Sequence, residues 1–516
     1  LALAVLAAVG VARADIVHLK NGRTMQGTVE EDTGKTIVLK TESGRVTLMK
    51  TQIASIEKEE PKPADSEPGA AGAAPVASGS DTVAIVRLIR AEKFGDAERA
   101  LETIRALGRD RQSDETRLSA VVGQLGKMAS LRPLLDKWCA SAPRSWAARV
   151  VRGDSCVESA WEARGTGWAQ SVQQEGWKLF RERLAQAKDD LEVASHVDAR
   201  DSYAPSRLVT VARGLDLSED AIEQYVSQAV AADPRCFNVY LTRVWSLKPR
   251  WGGTNELMFA FARKAAQDHP DDPAIAMAIV AAHEDFAEYT IGQMGKARDK
   301  ARAYLEGEDV KKEIDDILDR VLAKYPKAGW ACSRRANLAR IGGDAEGRLK
   351  WLRRAAELGD ASGANELAVA YEQGQGVAKN DAEALKWLAR AAALGHPVAI
   401  SDLGWHYDSG TGVAADPARA VALYREAAEL DDGGGTFNLA CCYHRGTGVE
   451  KDEAESLRLL QRAADLGLPR ALFALGYAYA KGDGVPVDKA KAKKLLEAAA
   501  AKGSQEAKAL LPTLKD

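Results

Sequence analysis

Seven histidines are spread over 516 residues: His18, His196, His269, His283, His396, His406 and His444. A zinc-peptidase helix needs two of them one turn apart with a glutamate beside the first, as in H-E-x-x-H. None is so placed, and His283-Glu284 alone holds no metal. A serine nucleophile exposed on a strand-to-helix turn is encoded by G-x-S-x-G, a pattern this chain lacks. Cys139, Cys156, Cys236, Cys332, Cys441 and Cys442 include no C-x-x-C pair. Cys441-Cys442 stands near His444, but nothing orients that imidazole as a base. A Cys139–Cys156 disulfide rests on proximity alone; small buried packing residues are the other reading. Carboxylate pairs such as Asp315-Asp316 fall on charged helical faces. The sequence thus assigns no catalytic, cofactor-binding or metal-ligating residue, and a non-enzymatic protein without a cofactor is expected.

Binding chemistry is better represented. Trp146, Trp161, Trp168 and Trp177 lie close together, with Arg149, Arg152 and Arg164 among them. Trp245 and Lys248-Pro249-Arg250-Trp251-Gly252-Gly253 follow. Either the indoles knit irregular helices together, or Trp251 and the arginines line a pocket for an anionic or glycan ligand. A hydrolase acting on envelope glycans is the enzymatic alternative for this region, and it requires an acid–base cluster in a pocket there.

The elements that position these residues are helical, and the C-terminal ones repeat. Tyr371, Tyr407, Tyr443 and Tyr479 recur every 36 residues, as do Leu367, Leu403, Leu439 and Leu475. Gly374, Gly410, Gly446 and Gly482 keep the same period. Each copy reads as a helix pair. The glycines end the first helix, where a left-handed cap is needed. Asn380, Asp416, Asp452 and Asp488 cap the second, with Glu383 and Glu455 placed for capping boxes. No strand precedes the glycines and no Gly-Lys-Ser/Thr follows, so they are not phosphate loops.

These copies resemble the Sel-one-like repeat, a relative of the tetratricopeptide repeat. They depart from it at Leu430-Asp431-Asp432, where Leu-Gly is the norm, and at Ser456, where the family prefers alanine. The resemblance implies a right-handed α-solenoid over 344–516 that binds other proteins. In such pairs the first helix lines the concave surface. The residues two before and two after each repeating leucine then face a groove: Asn365 and Val369, Ser401 and Trp405, Phe437 and Cys441, Phe473 and Tyr477. The other reading of Phe437 and Phe473 is packing between adjacent repeats. Some cysteine-rich members are linked to β-lactam binding, but their regular cysteine pair in each repeat is missing here.

Upstream, 81–343 reads as a helical domain with degenerate tetratricopeptide-like units. Residues near 140–270 resemble an uncharacterised bacterial helical domain that accompanies such repeats, on the tryptophans and Gly176–Phe180. Lys58 to Ser80 is rich in Pro, Ala, Gly, Ser and Glu and reads as a disordered linker. Asp15 to Glu57 holds five short alternating strands with Asn21-Gly22 as a hairpin turn. The segment resembles small SH3-like or Sm-like barrels, which implies a closed sheet. Leu1 to Val11 is apolar or small and precedes Ala12-Arg13-Ala14, the pattern of a signal peptide cleaved after Ala14. The expected architecture is therefore mainly α, an α-α superhelix preceded by a small five-stranded β-barrel, exported to the periplasm or beyond. Lys and Arg total 71 against 74 Asp and Glu, a net charge of −3. That balance speaks against a nucleic-acid partner, and no apolar run is long enough to cross a bilayer. A protein or peptide partner is expected; the oligomeric state stays open.

Overall fold

The computed structural model describes residues 15–19, 24–32, 36–41, 44–49, 51, 53–57, 79–106, 117–165, 172–290 and 297–514. They belong to two units, Leu1–Gly72 and Ala73–Asp516. The leader, the Asn21-Gly22 turn, most of the linker and Trp168 lie outside the described residues.

The first unit holds β1 (Asp15–Leu19), β2 (Thr24–Asp32), β3 (Thr36–Thr41), β4 (Gly44–Met49) and β5 (Ile53–Glu57). They form an antiparallel sheet in the order β4-β3-β2-β1-β5. The register slips between Val29 and Glu31 against β3, and between His18 and Leu19 against β5. Such bulges increase the local twist. A closed barrel needs β4 to pair with β5, and no such pairing is found among the described residues. The expected barrel is therefore reduced to a five-stranded sheet.

The second unit is helical. Its first part runs through α1 (Gly79–Arg90), α2 (Phe94–Ala106), α3 (Arg117–Lys127), α4 (Arg132–Ser141), α5 (Trp146–Arg164), α6 (Gln174–Val197) and α7 (Tyr203–Gly214). It continues through α8 (Glu219–Ala232), α9 (Phe237–Ser246), α10 (Asn255–Asp268), α11 (Pro273–Asp285), α12 (Ala297–Leu305), α13 (Glu308–Lys324) and α14 (Gly329–Gly342). From Ile275 to Val280 every residue of α11 is buried. A helix apolar all round must sit inside, and α11 packs against α9, α10 and α13. It runs on into a π-helical turn, Phe286–Thr290.

The repeats follow: α15 (Ala345–Glu357), then the pairs α16 (Ala361–Gln373) and α17 (Asp381–Ala393), and α18 (Pro397–Ser409) and α19 (Pro417–Glu429). The last pairs are α20 (Gly433–Arg445) with α21 (Glu453–Asp465) and α22 (Pro469–Lys481) with α23 (Lys489–Ala501), closed by α24 (Gln505–Leu510). Asn380, Asp416, Asp452 and Asp488 cap the second helices through their side chains, as the sequence implies. The second half of the capping boxes has another partner. The backbone N–H that Glu383 and Glu455 would accept from donates instead to the carbonyls of Tyr371 and Tyr443, at 3.0 Å in both. The same bond joins Asp416 to Tyr407 at 2.8 Å and Asp488 to Tyr479 at 3.0 Å. The repeating tyrosine thus ends the first helix with a carbonyl that fixes where the second begins.

The sequence departure at Asp431 has a structural cause. Its φ is 56°, in the left-handed region that Gly359, Gly395, Gly467 and Gly503 occupy at the same place in other copies. An L-residue is strained there, yet the carboxylate takes four bonds. Ser130 donates its N–H at 2.9 Å and its hydroxyl at 2.7 Å. Arg462 donates at 2.6 Å and Arg90 at 3.4 Å. Arg87 adds an ion pair to Glu429. Ile400, Ala427 and Leu430 of the repeats join the same core as Ile85 and Leu131. The beginning of the helical unit is thereby bound to the middle of its repeats.

Candidate interaction surface and interior pockets

On each first helix of a repeat, residues at i, i+4, i+7 and i+11 share one face. In α18 that face carries Val398, Asp402 and Trp405; Val398 and Trp405 keep 45% and 48% of their surface exposed. Tyr477 on α22 keeps 42%. Val369 and Cys441 hold the equivalent positions half-buried. These four are the residues two after each leucine. The face changes sign along its length: Glu366 and Asp402 lie on α16 and α18, Arg445, Arg470 and Lys481 on α20 and α22.

The residues two before each leucine point elsewhere. Ser401 is buried and donates to the carboxylate of Asp432, the cap of the next first helix. Two units earlier, Ser333 on α14 donates to the cap Asp360 at 2.9 Å. At the corresponding place Phe437 packs in one apolar cluster with Leu468, a helix cap without a side-chain bond. Phe473 packs in that cluster too, its ring 6.2 Å from Tyr477. Asn365 presents a buried Oδ1 without a hydrogen-bond partner among the described residues. Of the eight expected, Trp405 and Tyr477 are exposed, Val369, Cys441, Asn365, Phe437 and Phe473 are half-buried, and Ser401 is buried. For Ser401, Phe437 and Phe473 the contacts are with neighbouring turns and repeats.

Trp405 stands on a charged base. Its ring meets His406 edge-on at 5.1 Å. His406 is buried, with Nε2 3.0 Å from Glu372 and Nδ1 2.7 Å from the Thr411 carbonyl. Both ring nitrogens face acceptors, so the hydrogen bond to Glu372 raises its pKa and favours the imidazolium. Burial, with Glu372 and Asp432 nearby, pushes the Asp402 carboxyl up to about 6.

The tryptophan-rich region is a packed junction. Trp161 lies 4.8 Å from Phe180, 5.6 Å from Trp245 and 5.2 Å from Trp251. Arg164 lies over Trp161, Trp177 and Trp251. Arg149 and Arg152 both hold the buried Asp190, at 2.5 and 2.7 Å. Trp161, Trp177 and Trp251 pack around Arg164, while Trp245 and Arg250 also line the smaller of the pockets at the end of α11. Cys139 and Cys156 are free thiols, which burial pushes up to about 11 and about 12.

Two pockets flank the end of α11, where His283, Glu284 and Asp285 are all buried. The smaller, about 520 Å³, receives Glu284 and Asp285. Their charges are matched: Glu284 to Arg334 at 2.6 Å, Asp285 to Lys248 at 2.8 Å and to Arg250 at 2.9 Å. The larger, about 840 Å³, lies between α10 and α13 and receives His283. Tyr304 Oη is 2.6 Å from Nδ1, and Glu313 is 2.9 Å from Nε2. Arg263 in turn binds Glu313 at 3.0 and 3.2 Å. With Glu313 accepting from Nε2–H, Nδ1 accepts from the tyrosine hydroxyl. Burial and Glu313 push that hydroxyl up to about 12, so it stays protonated. The network orients a pocket wall; it does not generate a phenolate. Sequence reading passed over it because its members are 9 to 30 positions apart in α11, α12 and α13. The available signal was a run of three ionisable residues ending an apolar helix. Among the described residues no three His, Cys, Asp or Glu side chains converge as metal ligands. No described helix is long and apolar enough to cross a membrane.

Comparison with known proteins agrees with the repeat reading. The family model of the Sel1 repeat matches residues 349–360, 361–396, 397–432, 435–468 and 469–504. A second, described as a domain of unknown function (DUF4034), matches 82–219. That domain therefore lies further upstream than the 140–270 expected, taking in Trp146 to Trp177 but neither Trp245 nor Trp251. Each model covers less than half of the chain. A search of the curated proteins gives no match. A Sel1 repeat protein from Oxalobacter formigenes is 27% identical over 44% of this chain and 86% of its own, with a TM-score of 0.35. A protective antigen of uropathogenic Escherichia coli with an SLR fold is 17% identical over 85% of this chain and 88% of its own, at a TM-score of 0.40. Yeast Tom70 is 14% identical over 84% and 94%, at 0.30.

Proposed function

We propose that this protein is an exported, non-enzymatic scaffold that holds a protein or peptide partner along the open face of its first repeat helices. Sel1 repeat proteins are generally protein-interaction scaffolds, and the repeats here span 349–504. One observation carries the reading: Trp405 and Tyr477 keep nearly half their surface exposed on that face, although such residues are usually buried. Aromatic side chains presented by rigid helices are typical anchors, each worth about 2 kcal/mol or more on truncation. The acidic first half and basic second half give the face a direction. A partner segment would lie with its basic end over Asp402 and its acidic end over Arg445 and Arg470. The N-terminal five-stranded sheet would add a second contact or a cap, and the leader would place the protein outside the cytoplasm.

The test is quantitative capture from the exported fraction by wild type and by Trp405→Ala/Tyr477→Ala. The double variant should lose at least tenfold in capture, with unchanged helicity and melting temperature, since truncating two exposed anchors costs several kcal/mol of binding. A folded double variant that captures the same partner equally well would move the site elsewhere.

A further inference from the structure

The larger pocket plays no part in the repeat face. Its floor is aromatic: Phe286 lies 4.8 Å from Tyr304 and 6.3 Å from Phe259. The hydrogen-bonded chain through His283 holds Tyr304 in place. Arg263 is committed to Glu313, so that pair brings no net charge. What remains at the opening is Glu256 on α10, and Asp309 and Asp316 on α13, against the single ammonium of Lys312. All four are exposed, and among the described residues none of them joins an ion pair. Asn255, on the same wall, has a buried Oδ1 that no donor among the described residues reaches.

Three carboxylates against one ammonium repel an anion. The aromatic floor offers π faces and apolar surface. An inorganic cation would gain little, because the acids stand on two helices and do not converge. An organic cation matches every part: methylenes for the floor, positive charge for the ring faces and the acidic rim, N–H donors for the Asn255 oxygen. We propose that this pocket binds an aliphatic ammonium, with its carbon chain over Phe259 and Phe286 and its head group among Glu256, Asp309 and Asp316. The same chemistry is carried by a free alkyl diamine and by a lysine side chain of a polypeptide.

The test is calorimetric titration of the full chain with 1,5-diaminopentane, with Nα-acetyl-lysine amide, and with glutarate as an anion of similar length. At least one amine should bind and glutarate should not. Diamine binding alone identifies a free amine as the ligand; binding of the lysine derivative identifies a polypeptide side chain. Glu256→Gln with Asp316→Asn, and separately Phe259→Leu, should each weaken the amine about tenfold, the scale of losing a desolvated cation contact. Glu256 and Asp316 are exposed, so circular dichroism should be unchanged in that variant. Trp405→Ala/Tyr477→Ala should bind the amine as wild type does, which separates failure here from failure of the repeat face. Absence of amine binding at millimolar concentration, binding of glutarate, or affinity indifferent to both rim and floor variants would overturn the assignment.

Discussion

Replacing Asp431 by glycine should leave its repeat intact and loosen the N-terminal helices. Glycine suits the φ of 56° better than aspartate and recovers about 1 kcal/mol of left-handed strain. Against that stands the loss of four bonds to Ser130, Arg90 and Arg462. Removing one partner of a buried ion pair costs about 3–5 kcal/mol. Arg90 and Arg462 keep 27% and 22% of their side-chain surface, so water offsets part of this. The loss falls to about 2–3 kcal/mol after that screening. The two guanidiniums, which already repel each other, would also lose the anion between them. The net expectation is a junction weaker by about 1–2 kcal/mol, or roughly tenfold faster opening. Amide hydrogen exchange reads this directly. Protection should fall in α1 and in the short 3-10 turn Ala129–Leu131, while α20 to α23 exchange as in wild type. Asp431→Asn, which tolerates the same backbone geometry but carries no charge, should behave alike. If Asp431→Gly leaves exchange in α1 unchanged and raises the melting temperature, the carboxylate is no tie between the two ends.

The Phe437 and Leu468 positions should accept the polar pair used at Ser401 and Asp432. Phe437→Ser alone should cost about 2–3 kcal/mol, and adding Leu468→Asp should restore at least about 0.5 kcal/mol beyond additivity; strictly additive urea midpoints would refute the pairing. Asp402→Asn should stabilise the protein at pH 7 by about 2 kcal/mol, within a factor of two. The folded carboxyl sits near 6, above the ordinary 3.8, so the folded state binds the extra proton. Its destabilising effect is absent below about pH 4, grows as pH rises to about 6, and is complete above that. Urea melts at pH 4 and pH 7 measure it, and equal gains at both would exclude ionisation as the cause.

The 36-residue period, the glycine caps and the aspartate caps all stand in the sequence because each is a local rule of helix ends. Neighbouring repeats need only short-range contacts, so Tyr371 to Tyr479 and Asn380 to Asp488 lie where their spacing puts them. The five strands were legible for the same reason: alternation and turn residues act over a few positions. Pairings between distant segments were not. Helical spacing separated Trp405 from its neighbours, but whether Ser401 and Phe437 faced solvent or the next repeat depended on which residue that repeat placed opposite, Asp432 or Leu468. The arginines among the tryptophans read as possible ligand groups until Asp190, a buried carboxylate some 40 residues away, took two of them. Asp431 was visible as a broken rule, yet its reason is Ser130, 301 positions earlier. His283 found Tyr304 and Glu313 only because α11, α12 and α13 pack together. Sequence sets what each segment can become through bonds within a turn or two. Tertiary packing alone decides which distant charge or ring completes it, because buried polar groups take whatever partner the fold delivers.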